Sequence, residues 1–196
     1  MTGPIMAALL LVAAANQPQS EGDLGAIMER YLEAAPMQVA YSYAIGNSDF
    51  SDTTQGVLYL SAPSVFRLSF FDKVYGSDGA SVYLHDTNTH QTVIDSLRWN
   101  EMQLWLRLLS GQLPEGTQLV GSRHAGRLSH FDLLGPDGKW EAELTVNEQS
   151  GAIARIAVVD RAGLSVVIDL ETPRKWTPSV EYIRLSDLPG ERLDLR

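Results

Sequence analysis

Between Met37 and Leu185 the apolar residues recur at every second position, in short runs separated by turn residues. A side-chain period of two belongs to a strand whose alternate residues face opposite sides of a sheet. Val39, Tyr41 and Tyr43 alternate with Gln38, Ala40 and Ser42. Further strands are expected over Thr54 to Ser61, Val65 to Phe71, Ser81 to His85 and Gln91 to Asp95. Later ones are expected over Thr117 to Ser122, Arg127 to Leu134, Lys139 to Asn147, Ala152 to Asp160, Leu164 to Glu171 and Val180 to Leu185. Gly76-Ser77-Asp78-Gly79, Asp86 to Thr89, Gly135-Pro136-Asp137-Gly138, Gln149-Ser150-Gly151 and Arg161-Ala162-Gly163 have turn chemistry. Strands at roughly 8–12-residue spacing joined by tight turns indicate an antiparallel sheet or barrel. Trp140, Ala142, Leu144 and Val146 share one face of their strand, opposite Lys139, Glu141, Glu143 and Thr145. One face is therefore dry and the other wet. A sheet of about ten strands curls under its own twist, and the dry face becomes the inside.

Two segments break this pattern. Ser20-Glu21-Gly22-Asp23 has the form of a capping box, and Leu24, Ile27, Met28, Tyr31 and Leu32 follow it at helical spacing up to Pro36. The second is Trp99 to Ser110 (WNEMQLWLRLLS), with a helix expected over Asn100 to Leu109. Met102, Trp105, Leu106 and Leu109 fall on one face, and Leu104 and Leu108 widen the apolar arc to roughly 200°. A surface helix needs about half that width. Two readings fit: a well-buried core helix, or a helix plugging the mouth of an apolar barrel.

The 196 residues suggest a single domain, and 44% apolar residues suffice for a real core. With 15 Lys and Arg against 24 Asp and Glu, the net charge of −9 argues against nucleic acid as a partner. The absence of cysteine excludes a disulfide framework, a thiolate zinc site, a cysteine nucleophile and a lipobox anchor. Ile5 to Ala15 is apolar, ends in Ala13-Ala14-Ala15 and is too short to span a bilayer of ~30 Å. It reads as the core of a secretory signal over residues 1–20, although its leading segment MTGP lacks Lys and Arg. Residues 21–196 then form one exported, periplasmic domain.

Motifs for catalysis are missing: no G-x-S-x-G, P-loop, G-x-G-x-x-G or H-E-x-x-H occurs. His85, Asp86 and His90 are of types that bind metals, and a polar turn explains them as well. Ser122 and His124 lie in a turn-like stretch, Gly121 to Gly126, with no supporting motif.

Two stretches then carry a resemblance. Gly56 to Leu68 (GVLYLSAPSVFRL) resembles a pattern of glycine, strand, proline and F-x-aromatic or aliphatic, and Ser77 to Leu84 (SDGASVYL) resembles an S-D-G-x-x-aromatic turn and strand. With the order of parts over residues 20–196, they make the chain similar to the LolA family of periplasmic outer-membrane lipoprotein carriers. The resemblance implies an α+β, mainly β fold: an unclosed antiparallel β-barrel of about ten to eleven strands, with an N-terminal helix and a helical lid over an apolar concave face. It implies acyl-chain binding without catalysis, cofactor or metal, by a monomer. The implied partners are an inner-membrane lipoprotein-releasing transporter and an outer-membrane acceptor. Leu58, Leu60, Phe66, Leu68 and Phe70 would form the cavity wall, and Met102, Trp105, Leu106 and Leu109 the lid. Packed core is an equally good reading of each residue alone. Where the family has an Arg before the strand-ending Pro, an Arg that latches the lid, this chain has Ala62.

A long acyl chain costs on the order of 10 kcal/mol to leave in water, at about 0.8 kcal/mol per CH₂. A carrier with a partly vacant hollow would meet that cost. The alternative is a sensor or interaction domain of the same architecture that binds lipid or lipoprotein without transferring it.

Overall fold

The computed structural model describes residues 21–98, 103–177 and 188–196. The expected export signal and the strand expected over Val180 to Leu185 lie outside the described residues. Helix α1 (Glu21–Glu33) precedes six strands: β1 (Met37–Gly46), β2 (Ser51–Ala62), β3 (Val65–Phe70), β4 (Lys73–Asp78), β5 (Ser81–Asp86) and β6 (Gln91–Ser96). Helix α2 (Leu104–Leu109) interrupts. Then come β7 (Gln118–Ala125), β8 (Leu128–Leu134), β9 (Trp140–Asn147), β10 (Ile153–Asp160), β11 (Ser165–Leu170), β12 (Arg174–Lys175) and β13 (Glu191–Asp194).

All thirteen strands belong to one sheet, in the order β13-β6-β5-β4-β3-β2-β1-β11-β10-β9-β8-β7, with β12 added to β1. β1 sits mid-sheet, between β2 and β11. No pairing among the described residues joins β7 to β13, so the sheet curls without closing. The fold is mainly β and its pairings are antiparallel, as expected, except that β13 runs parallel to β6.

The concave face carries the main core. In register, Val39 faces Leu58, Leu58 faces Leu68 and Leu60 faces Phe66. On the other side of β1, Tyr43 faces Ile168, Ile168 faces Ile156 and Ile156 faces Leu144. Helix α1 lays Leu24, Met28 and Tyr31 into the same core, at the i, i+4, i+7 spacing read from the sequence.

Three local expectations are corrected. Gly76-Ser77-Asp78-Gly79 is not a turn: Gly76 and Ser77 continue β4, and the turn lies at Gly79 and Ala80. There the Asp78 carboxylate accepts the N–H groups of Ala80 and Ser81 at 3.0 and 2.8 Å. Gly76 belongs in the strand because the ring of Tyr83 lies over it; a Cβ there would stand 1.9 Å from the Tyr83 Cζ. Gly121 to Ala125 likewise continues β7, and only Gly126, at φ +66°, turns the chain. Finally, the sheet is not dry on one face throughout. Val74, Tyr83 and Ile94 lie on the convex side of β4–β6 and form a second small core with Leu188. This wing therefore buries side chains on both faces, which simple alternation does not reveal.

Candidate hydrophobic binding site

The register of β2 and β3 puts Leu58, Leu60, Phe66, Leu68 and Phe70 on the concave face together. The first four have no exposed surface, and Phe70 is partly buried. Of the expected lid, Trp105, Leu106 and Leu109 are buried in the same cluster, and so is Leu108. Met102 lies outside the described residues. The helix itself is shorter than expected at its described start, beginning at Leu104 after Gln103, whose side-chain carbonyl accepts the Trp105 indole N–H.

Wall and lid meet through aromatic rings. The indole of Trp105 stacks on Phe70, with centroids 5.5 Å apart and planes 29° apart. It also meets Tyr43 edge-on at 5.4 Å and Tyr75 at 6.5 Å. Tyr43 in turn meets Phe70 edge-on at 4.2 Å. Such offset and edge contacts each add roughly 0.5–1.5 kcal/mol to the burial itself. Tyr43 belonged to the alternating pattern of β1, so its inward face was readable. Tyr75 directly precedes Gly76-Ser77-Asp78-Gly79, whose turn chemistry hides the strand that carries it.

The lid is fastened from an unexpected direction. Ala62 offers no side-chain donor for the fastening that the resemblance implies at this position. Instead Tyr31, on α1, donates its hydroxyl to the Leu109 carbonyl at 3.0 Å, in a fully buried contact. Burial pushes the Tyr31 phenol well above its ordinary pKa, so it remains a neutral donor. Tyr41 works as a staple within the wall: its hydroxyl crosses Gly56 of β2 and donates to the Ser69 carbonyl on β3. Gly56 leaves room for it, since a Cβ there would lie 2.6 Å from that hydroxyl. Burial, with the neighbouring Tyr75, pushes Tyr43 up to about 12.

The expected hollow is not vacant at these positions. Leu58, Leu60, Phe66, Leu68, Leu108 and Leu109 expose no surface at all, so the protein's own side chains fill the space between wall and lid. Helix α2 packs directly on the wall at these positions.

The remaining sequence candidates do not assemble into chemistry. His85 Nδ1 shares a 2.9 Å hydrogen bond with Thr92, while Asp86 turns to Lys73 at 2.8 Å and to the N–H groups of Asn88 and Thr89. No group of three metal-binding side chains converges among the described residues. His124 meets Ser129 rather than Ser122, at 2.9 Å, and Glu148 at 2.5 Å. Both contacts use the same ring nitrogen, Nδ1. A relay from serine through imidazole to carboxylate needs the two different nitrogens. Among the described residues no helix is long and apolar enough to cross a membrane.

No family model matches the chain, and no curated protein matches its sequence. Solved structures do match its fold. A crystal structure of an uncharacterised conserved protein from Thermus thermophilus superposes with a TM-score of 0.58 at 12% identity, covering 88% of this chain and 99% of that one. A LolA superfamily protein from Nitrosomonas europaea superposes with a TM-score of 0.50 at 11% identity, covering 82% and 97%. The curled, unclosed sheet with its apolar concave face and covering helices is the LolA-like fold.

Proposed function

We propose that this protein is an exported, periplasmic carrier that takes the acyl chains of lipoproteins beneath α2 and shuttles them from the inner to the outer membrane. An inner-membrane releasing transporter and an outer-membrane acceptor would be its partners, and residues 1–20 its cleaved signal. The observation that carries this reading is the lid. Helix α2 covers a continuous apolar wall, yet among the described residues only one side-chain hydrogen bond, Tyr31 to Leu109, ties it to another element beyond its own packing.

The energetics favour exchange over filling. Opening α2 withdraws Trp105, Leu106, Leu108 and Leu109 from the core, at about 1.5–3 kcal/mol each. An acyl chain that takes their place gains on the order of 10 kcal/mol. The two are of similar size, so the chain binds and is still released to a membrane. The exchanged contacts would fall on Leu58, Leu60, Phe66, Leu68 and Phe70.

Two measurements test this. A fluorescent apolar probe should bind the purified protein and be displaced by lipid; no binding would end the proposal. An acylated lipoprotein loaded on the protein should then pass to acceptor vesicles. Binding without transfer would leave an interaction or sensor domain. Mass determination of the exported protein should place its first residue near position 16 to 21.

A further inference from the structure

The turn between β3 and β4 holds Phe71 at φ +51°. A bulky side chain in that left-handed region is an outlier, because its Cβ crowds the backbone. Phe70 pairs with Lys73 across the hairpin, so Phe71 and Asp72 are the two residues of its loop. A loop of this length with a positive φ most often carries Gly, Asn or Asp at that position. Here a phenyl ring stands there instead, 41% exposed. The ring is kept against the local backbone preference, and such outliers gather at functional positions.

Phe71 continues the aromatic cluster that joins wall and lid. Its ring meets Phe70 edge-on with centroids 4.7 Å apart and Tyr43 at 6.1 Å. Both of those rings meet Trp105 of α2, at 5.5 and 5.4 Å. Tyr43 and Trp105 are buried, Phe70 is half-buried, and Phe71 alone of the four is exposed. The rings thus form a continuous apolar row from solvent to the junction of lid and wall. The turn that presents Phe71 is held from the next hairpin: the N–H and the hydroxyl of Thr87 both donate to the Asp72 carbonyl at 2.8 Å. The charges beside it are matched, with Lys73 donating to Asp86 at 2.8 Å and lying 3.5 Å from Asp72.

We propose that Phe71 is the entry point of the acyl site, where a lipid chain makes its first contact before it passes along Phe70 and Tyr43 to Trp105. One half-exposed ring is too small a surface for a protein partner, whose interface takes roughly 800 Å² a side. It is enough to start desolvating a single chain, and the row of rings continues that desolvation inwards. The inference rests on the hydrophobic-site reading above and adds the route by which its ligand enters and leaves.

The test follows a neutral pyrene-labelled acyl ester by stopped-flow fluorescence as it binds the purified protein and as it leaves. Asparagine accepts the left-handed backbone, so Phe71→Asn should melt no lower than wild type. An entry contact is passed in both directions, so this variant should slow association and release alike, roughly fivefold, and leave Kd unchanged. Phe71→Leu keeps an apolar surface and should retain most of the rate. Val120→Thr removes apolar surface from a residue 60% exposed on β7 and should change neither rate. Unchanged rates in Phe71→Asn overturn the inference. So does a weaker Kd at an unchanged association rate, which makes the ring part of the bound site. Equal slowing by Val120→Thr overturns it as well, and so does a Phe71→Asn protein that melts well below wild type, because the ring then serves the fold. In all of these outcomes wild type still binds the ester and the hydrophobic site stands. If wild type does not bind it, the carrier reading itself fails.

Discussion

The Tyr31 hydroxyl on α1 donates to the Leu109 carbonyl at the end of α2, across 3.0 Å, where neither residue exposes surface to water. Tyr31→Phe keeps the ring and deletes only this bond, leaving a buried carbonyl without its side-chain donor. The variant should lose about 1–2 kcal/mol in chemical denaturation. It should also bind an apolar probe faster, because the lid opens more readily. Unchanged association kinetics would show that Tyr31 is not a latch.

Trp105 joins α2 to the wall through ring contacts with Phe70 and Tyr43. Trp105→Ala should cost roughly 3–5 kcal/mol of stability. Trp105→Phe should cost less and retain the stacking on Phe70. Near-ultraviolet circular dichroism should lose the Trp105 indole signal in both variants, and denaturant midpoints should separate the smaller loss of stability in the phenylalanine variant from the larger loss in the alanine variant.

Gly76 and Gly25 make a matched pair of opposite sign. Gly76→Ala forces the Tyr83 ring off the strand and should destabilise by about 1–3 kcal/mol. Nothing lies within 4 Å of a Cβ built on Gly25, in the interior of α1, so Gly25→Ala should stabilise by about 0.5–1 kcal/mol. Denaturant midpoints of the two variants should move in opposite directions.

The hydrogen bond from Lys73, helped by the N–H groups of Thr89 and Asn88, holds the Asp86 carboxyl well below the usual carboxylate range. A pKa depressed by folding contributes stability above the unfolded value of about 4, and that stability is lost as pH falls through the folded value. Wild type should therefore lose this contribution below about pH 4, whereas Asp86→Asn lacks it at every pH. Melting temperatures of the two proteins should differ at pH 7 and converge towards pH 2.

Alternation made the concave face legible: every wall residue named from the sequence lies there, because hydrophobic register permits no one-residue slip. The wide apolar arc of α2 was legible for the same reason. What stayed hidden depended on partners distant in sequence. β4 was obscured because Gly76 signals a turn locally and earns its place in a strand only from Tyr83 across the ladder. β13 is short and charged, and only its pairing with β6 makes it a strand. The contact between Tyr31 and Leu109 joins two helices whose separate patterns say nothing about a shared hydrogen bond.

The parallel pairing of β13 with β6 sets Glu191 beside Gln91, so one margin of the sheet waits for residues synthesised about a hundred positions later. β1 waits similarly for β11. A polypeptide built this way cannot assemble its architecture while most of it is still missing. That delay predicts that trimming the last few residues slows refolding more than it disturbs the finished interior.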